Sequence, residues 1–188
     1  MAKSTRPKLI VMEGLPASGK TELANLLVEK FDFKKVNESL GKLGGKNLTT
    51  DQVRMFDENL GKYRLAMKCK ENCVIDRGYP SLLCWDYCAE KLGYANDLRE
   101  KTKWVDESLQ DGRLFEPDFY IYLDISPEIS LKRRPRNETS EDVWSAVDGM
   151  HYSQEFYNQF FTGEKKIIKI DGTLDKEEVA KMIAERVG

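Results

Sequence analysis

The residues from Gly14 to Thr21 have the types and the spacing of a site that binds a chain of phosphates. The segment matches the pattern G-x-x-x-x-G-K-[ST] and lies between a predicted strand and a predicted helix. Its glycines let backbone N–H groups turn inward, and the helix N-terminus adds positive potential. We expect Lys20 to reach the β- and γ-phosphates and the Thr21 hydroxyl to bind Mg²⁺. The sequence therefore predicts binding of a nucleoside triphosphate with magnesium. The residues expected to hold it are Gly14, Pro16, Ala17, Ser18, Gly19, Lys20 and Thr21.

A second candidate site is Asp76 with Arg77, at the end of the apolar run 72–76. Ligands of parallel α/β sheets bind at the carboxyl ends of the strands, so these side chains should lie beside the phosphate loop. Asp76 would orient Mg²⁺ or its waters. Arg77 would stabilise charge on a transferring phosphoryl group or hold the acceptor. The alternative is an ordinary ion pair at a strand end.

A third signal is the basic stretch Lys-Arg-Arg-Pro-Arg at 132–136. Four cations in five residues repel one another unless an anion joins them. We interpret residues near 132–142 as a lid whose arginines close over phosphates, with Arg133 on the nucleotide and Arg134 and Arg136 near the transferring group. The sequence leaves open which arginine points inward, and a solvated charged loop is the alternative.

The elements that must position these residues alternate between strand and helix patterns. Strands are predicted at 8–13, 33–37, 72–76, 119–124 and 166–170. Helices are predicted at 21–30, 49–70, 81–91, 96–110, from Ser126, at 140–161 and at 175–187, and a flexible loop is predicted near 39–48. This order predicts βαβ units and therefore an α/β fold of three layers around a parallel sheet of about five strands.

Length and charge limit the functional classes. The chain has 188 residues, which suggests a single domain over 1–188. Its 30 Lys and Arg against 32 Asp and Glu give a net charge of −2, which argues against a nucleic-acid partner. No apolar run approaches the roughly 18 residues of a membrane span, and the first apolar stretch is too short for a signal peptide. We therefore expect a cytosolic protein without a membrane partner.

Cysteine and histidine offer little further chemistry. The four cysteines form two pairs with three residues between partners, Cys69 with Cys73 and Cys84 with Cys88. We interpret Cys84 and Cys88 as small core residues on one helix face, with a metal or redox pair as the alternative. His151 is the single histidine, and we expect it in a structural or surface role. The sequence therefore does not favour a catalytic triad based on histidine.

Several motifs together resemble the thymidylate kinase and deoxynucleoside kinase group of P-loop kinases. They are Glu13-Gly14 before the phosphate loop, Asp76-Arg77, Tyr122-Leu123-Asp124 followed by Pro127-Glu128, and the arginine-rich stretch. The resemblance implies a three-layer P-loop NTPase fold with a lid, and a kinase that uses ATP and Mg²⁺. The segment 170–173 also resembles this group, where the corresponding loop lies near the adenine, so Gly172 is expected at the nucleotide.

The chain departs from the thymidylate kinase pattern at three places. Gly78 stands where that family has Tyr, and Asp86 stands where a Gln reads the base, although an Asp has no amide donor. The segment 37–40 carries Glu38 and no Arg where thymidylate kinases bind the acceptor's phosphate. Deoxynucleoside kinases place a general base there, so the resemblance implies that role for Glu38, and an ordinary surface acid at a strand end is the alternative.

The acceptor is the open question. A nucleoside monophosphate needs a cation beyond those on ATP, and the candidates are Arg54, Arg64, Arg77 and Arg99. A nucleoside needs a base near its hydroxyl, and Glu38 or Asp76 would serve. Four aromatic residues are candidates to stack on a nucleobase or to fill the core: Phe56, Tyr63, Tyr79 and Trp85.

The leading interpretation is transfer of the γ-phosphoryl of ATP to a (deoxy)nucleoside monophosphate. The alternatives are a deoxynucleoside kinase acting on the 5′-hydroxyl, a kinase for another small hydroxyl compound, and a regulatory ATPase switch. A homodimer is left open.

Overall fold

The computed structural model describes residues 6–36, 51–134, 143–163 and 166–187, without the side chains of 51–55 and 57. Its strands are β1 (Leu9–Gly14), β2 (Lys34–Lys35), β3 (Cys73–Asp76), β4 (Phe119–Asp124) and β5 (Ile167–Asp171). All neighbouring strands pair in parallel, in the order β2-β3-β1-β4-β5. The predicted α/β fold with a five-stranded parallel sheet is therefore confirmed.

The helices follow the predicted order. They are α1 (Lys20–Phe31), α2 (Asp51–Met67), α3 (Tyr79–Lys91), α4 (Leu98–Gln110), α5 (Pro127–Arg133), α6 (Val147–Phe160) and α7 (Lys176–Val187). Helix α5 begins as predicted, because the Ser126 hydroxyl accepts a hydrogen bond from the Ile129 N–H and Pro127 occupies the first turn. Among the described residues, no helix is both long and apolar enough to cross a membrane.

The sheet has a hydrophobic core on each face. On one face, Ile10 and Met12 of β1 pack with Leu23 and Leu27 of α1, and Ile183 of α7 joins the same core. Helices α2, α3, α4 and α6 cover the other face, where the core contains many tyrosines. The inner strands β1, β3 and β4 are buried on both faces and are nearly continuous apolar runs, as expected for a parallel sheet, whereas the edge strands β2 and β5 carry lysines.

One predicted helix is wrong in extent. The pattern at 140–161 predicts one long helix, but residues 140–142 lie outside the described ranges, and the rest forms a 3₁₀ turn, Val143–Ser145, followed by α6. Gly149 lets the turn approach the helix, since a Cβ there would lie 1.7 Å from the Val143 carbonyl oxygen. The predicted second strand at 33–37 is reduced to the two residues of β2. The predicted loop near 39–48 lies outside the described residues.

The sheet order brings the chemistry-bearing segments to one edge. Strand β1 lies between β3 and β4, and Met12 is in register with Asp76. The chain leaves β1 at Gly14 and β3 at Asp76, so both turns open at the carboxyl ends of adjacent strands. This arrangement places Asp76 and Arg77 beside the phosphate loop.

Candidate active site

The phosphate loop has backbone conformations that its small residues permit. Gly14, Ala17 and Gly19 have φ values of 137°, 55° and 94°. At Gly14 a Cβ would lie 2.5 Å from the Leu123 carbonyl oxygen, so no other residue fits without displacing β4. The loop therefore turns tightly into the N-terminus of α1, where unpaired N–H groups favour an anion. Its far side is held by the Ser130 hydroxyl, which donates to the Pro16 carbonyl at 2.7 Å.

The ammonium of Lys20 lies inside the loop. It donates to the carbonyl oxygens of Gly14 and Leu15 at 3.0 and 2.6 Å, and to Ser18 Oγ at 3.0 Å. Burial lowers the pKa of Lys20 well below its usual value, and the Arg77 charge lowers it further. A bound polyphosphate would oppose both effects, because negative charge beside the ammonium favours its protonated form.

Thr21 and Asp76 bring two oxygen ligands together. The Thr21 hydroxyl donates to Asp76 Oδ2 at 2.5 Å, across 55 positions in sequence. Lys20, Thr21, Asp76 and Arg77 line one cavity of about 430 Å³ together with Ala17, Gly19 and Glu22. The four residues that the sequence predicts to carry the phosphoryl transfer therefore line the same cavity.

Arg77 stands in a backbone turn that is held at several atoms. Its φ of 66° is in the left-handed region, which is uncommon for a residue other than glycine. Its N–H donates to the Met12 carbonyl at 3.1 Å. The ammonium of Lys62, on α2, donates to the carbonyl oxygens of Arg77 at 3.0 Å and of Asp76 at 3.5 Å. The Arg77 guanidinium reaches the Gly14 carbonyl at 3.4 Å and Ser81 Oγ at 3.2 Å.

Glu13 is a fully buried carboxyl that joins three elements. It accepts hydrogen bonds from the Gly78 N–H at 2.8 Å, the Ser81 hydroxyl at 2.6 Å and the Tyr157 hydroxyl at 2.9 Å. Burial raises its pKa, although these donors and the Arg77 charge act in the opposite direction. Glu13 thereby ties the end of β1 to the start of α3 and to α6.

A second cavity, of about 520 Å³, shares Ala17, Gly19 and Glu22 with the first and extends to Arg133 and Lys176. The Arg133 guanidinium donates to the carbonyl oxygens of Gly172 at 3.2 Å and Ala17 at 3.5 Å. Lys176 donates to the Gly172 carbonyl at 2.9 Å, and a Cβ on Gly19 would lie 2.4 Å from its Cε. Arg133 and Gly172 thus meet at the phosphate loop, as the sequence predicts for nucleotide binding.

The other predicted site residues lie apart from this cluster or outside the described ranges. The Arg134 guanidinium donates to the Trp144 carbonyl oxygen at 3.1 Å. Glu38 and Arg136 fall on residues that the structure does not describe, as does most of the predicted lid.

The carboxylate of Asp86 is engaged by contacts inside the fold. It is fully buried, accepts from the Asp97 N–H at 3.0 Å and forms an ion pair with the buried Lys101. Its position in the thymidylate kinase pattern associates it with base reading, but its carboxylate is taken up in joining α3 to α4. The Lys101 ammonium also lies 5.6 Å from the centre of the Trp85 ring.

The predicted acceptor residues divide in a similar way. Of the predicted arginines, Arg77 lines the cavity, whereas Arg64 and Arg99 are exposed elsewhere on the surface. The side chain of Arg54 is not among those that the structure describes. Tyr63 and Tyr79 are buried in the core. Phe56 stacks on Trp104 with ring centres 4.3 Å apart.

The cysteines and the histidine take their expected structural positions. Cys84 and Cys88 are buried on α3, and all four cysteines are free thiols. His151 is exposed on α6, 3.9 Å from Glu128. In the described parts of the chain, no three His, Cys, Asp or Glu side chains gather as metal ligands.

Sequence reasoning missed three residues of the site. Glu13 was noted only as part of a motif, and Lys62 and Lys176 were not singled out. Lys62 reaches the site across 15 positions from the middle of a predicted helix, where a lysine is ordinarily a solvated surface residue. A signal was available for Glu13, since an acid within an apolar strand must find donors when buried.

Two comparisons with known proteins agree with this geometry. The family model of thymidylate kinase matches residues 55–183. The structure is similar to that of a deoxyadenosine kinase from M. mycoides with bound dATP, at 16% identity and a TM-score of 0.70, over 96% of this chain and 98% of that one. Structures of the same enzyme with dCMP and dCDP or with dCTP match at 18% and 17% identity. The structure with dCMP and dCDP covers 95% of this chain and 97% of its own, with a TM-score of 0.66. The structure with dCTP covers 95% of this chain and 98% of its own, with a TM-score of 0.62. The chain belongs to the thymidylate kinase family and is a phosphotransferase that uses an ATP-type nucleotide on a nucleoside or nucleotide.

Proposed function

We propose that the protein transfers the γ-phosphoryl group of ATP to a (deoxy)nucleoside monophosphate, as a thymidylate kinase does. The observation that carries the proposal is that Lys20, Thr21, Asp76 and Arg77 line one cavity at the carboxyl ends of β1 and β3. An acceptor phosphate oxygen forms a bond to the γ-phosphorus as the bond to the β–γ bridging oxygen breaks, and ADP leaves.

The donor set fits magnesium. Mg²⁺ prefers oxygen ligands and is ordinarily held by one or two carboxylates, phosphate oxygens and waters. The Thr21 hydroxyl and the Asp76 carboxylate lie 2.5 Å apart in a cavity that is open toward the phosphate loop. These two residues would hold the ion, and its charge would help neutralise the β- and γ-phosphates.

The residues around the loop supply position and positive charge. Lys20 would exchange its bonds to the Gly14 and Leu15 carbonyls for bonds to phosphate oxygens, so it carries its charge to the reacting end of the nucleotide. Arg133 would hold the nucleotide on the side of the Gly172 loop. Such pre-set donors stabilise the charge on the equatorial oxygens in the transition state.

Two cations at the end of β3 favour a monophosphate acceptor. Arg77 lies at the cavity, and the Lys62 ammonium lies at the same turn, on the side of α2. A phosphate acceptor is already an anion and needs no base, whereas a nucleoside hydroxyl must lose a proton. Charge complementarity at this turn therefore supports the monophosphate.

A deoxynucleoside kinase is the second candidate. Its support is the likeness to deoxyadenosine kinase structures over at least 95% of the chain. In this case Asp76 or Glu38 would accept the proton of the 5′-hydroxyl. Glu38 and Arg136 remain proposed site residues, Arg136 as part of a lid near 132–142. Arg134 would have to leave the Trp144 carbonyl to reach the transferring group. We also propose a single domain and a cytosolic location, and a homodimer stays open.

The experiment is an acceptor panel. The protein is incubated with Mg·ATP and each nucleoside or nucleoside monophosphate, and ADP is measured. ADP formation that depends on a monophosphate supports the leading proposal, and dependence on a nucleoside supports the second. Slow ADP formation without any acceptor would contradict both and indicate a regulatory ATPase. Glu38→Gln separates the candidates further, because unchanged turnover of a nucleoside would remove Glu38 as its base.

A further inference from the structure

The indole ring of Trp144 lies against the guanidinium of Arg77. The distance from Arg77 Cζ to the ring centre is 5.0 Å, within the range of a cation–π interaction. The other described partners of this guanidinium are the Gly14 carbonyl and Ser81 Oγ, at 3.4 and 3.2 Å. These hydrogen bonds are at or beyond the long end of the usual N–H···O range, so the ring is a substantial third partner of the guanidinium.

The ring is itself fixed. Its Nε1–H donates to Ser153 Oγ at 3.0 Å, and the buried Ser153 hydroxyl donates to the Gly149 carbonyl at 2.9 Å. The backbone of Trp144 is held by Arg134, which donates to its carbonyl oxygen at 3.1 Å. Gly149 allows the 3₁₀ turn to sit directly on α6. Trp144 is therefore held to α6 at its ring and to Arg134 at its carbonyl oxygen, and its ring lies against a side chain of the site.

Arg77 needs such a contact because its side chain is long. A free arginine loses considerable rotamer entropy when it is ordered, and a flexible guanidinium contributes less to a transition state than a pre-set one. We propose that Trp144 is a positioning residue, which holds the Arg77 guanidinium toward the phosphate loop for phosphoryl transfer. This inference rests on the proposed kinase function and adds a residue that no motif of the chain identifies.

The first test compares variants by steady-state kinetics. Trp144→Leu should lower kcat about tenfold and change the KM for ATP less than about twofold, because the ring acts on the arginine and not on the nucleotide. Trp144→Phe keeps an aromatic face and should recover most of the activity. Tyr152→Leu is the matched control, since Tyr152 is a half-buried aromatic residue of α6 that packs against the same core, whereas the ring at Arg77 is that of Trp144. Equal losses in Trp144→Leu and Tyr152→Leu would overturn the proposal, because general packing would then explain both.

A double-mutant cycle separates positioning from packing. In Arg77→Met protein, Trp144→Leu should cause little further loss of kcat, since the group that the ring positions is gone. The same tenfold loss in both backgrounds would overturn the proposal.

A third measurement does not depend on activity. In the NMR spectrum of the nucleotide-free protein, the ring should shift the Arg77 Nε–H resonance upfield, and Trp144→Leu should move it downfield. An unchanged resonance in the folded variant would overturn the proposal. An inactive wild type would refute the kinase function and with it the catalytic role, whereas the NMR result would still decide whether the ring holds the guanidinium.

Discussion

The buried carboxyl of Glu13 should be one of the most sensitive positions for stability, because three donors converge on it. In Glu13→Ala, the Gly78 N–H and the Ser81 and Tyr157 hydroxyls lose their acceptor. An unsatisfied buried polar group costs about 1–3 kcal/mol, and water entering the space would offset part of this. We therefore expect Glu13→Ala to lose about 3–5 kcal/mol of unfolding free energy.

Glu13→Gln should cost less. Its amide oxygen can keep the Gly78 bond, and its NH₂ can donate to the two hydroxyls, which both also accept. All three charge-assisted bonds become neutral ones, but no charge is buried, so we expect a loss of about 1 kcal/mol.

The pH dependence provides a second comparison. Burial raises the pKa of Glu13 from its ordinary 4.5, so the folded protein keeps this proton to higher pH than the unfolded chain. Its contribution to stability is therefore largest below pH 4.5 and falls as the pH rises through the folded pKa. The difference in unfolding free energy between wild type and Glu13→Gln should therefore narrow as the pH rises from 4.5 through the folded pKa, because the Gln side chain does not titrate.

Urea denaturation of the wild type and both variants measures these values. Glu185→Ala is the control, since this exposed acid of α7 should change stability by less than about 0.5 kcal/mol. The reasoning is refuted if Glu13→Ala unfolds at the same urea concentration as the control.

Three further substitutions test other parts of the site. Lys62→Met should lower kcat/KM for the acceptor roughly tenfold, because the Asp76–Arg77 turn loses the hydrogen bonds from the Lys62 ammonium. Arg64→Met, at an exposed position of the same helix, should change kcat/KM by less than about twofold. Equal losses in the two variants would contradict this role of Lys62. Asp76→Asn should lower kcat about 100-fold, since an amide is a weaker partner for the metal, and full activity would remove Asp76 from the reaction. Lys101→Met should destabilise the fold by about 3–5 kcal/mol by leaving Asp86 charged and unpaired, and a melting temperature like that of wild type would disprove the buried pair.

The sequence predicted the sheet and the centre of the site because both depend on local patterns. Apolar runs that alternate with helical periodicity indicate βαβ units, and the spacing from Gly14 to Thr21 encodes the loop directly. Asp76 was found for the same reason, since a strand end is visible in the chain.

The errors and omissions are long-range. Asp86 was noted only as a departure from the base-reading Gln, because its partner Lys101 comes from another helix, 15 residues away. Trp144 contacts Arg77 from the 3₁₀ turn Val143–Ser145, which the sequence pattern assigned to a single helix over 140–161. Only the folded structure shows that Gly149 leaves room for this turn. Such contacts depend on how helices cross the sheet, which no local period specifies.

Binding of Mg·ATP, measured by calorimetry, tests the central claim that the loop from Gly14 to Thr21 cradles the triphosphate. The wild type should bind Mg·ATP, and Lys20→Ala, if it melts at the wild-type temperature, should bind at least about tenfold more weakly, because one buried cation is lost from the phosphates. Equal affinity in the two proteins, or no binding to the folded wild type, would contradict the account.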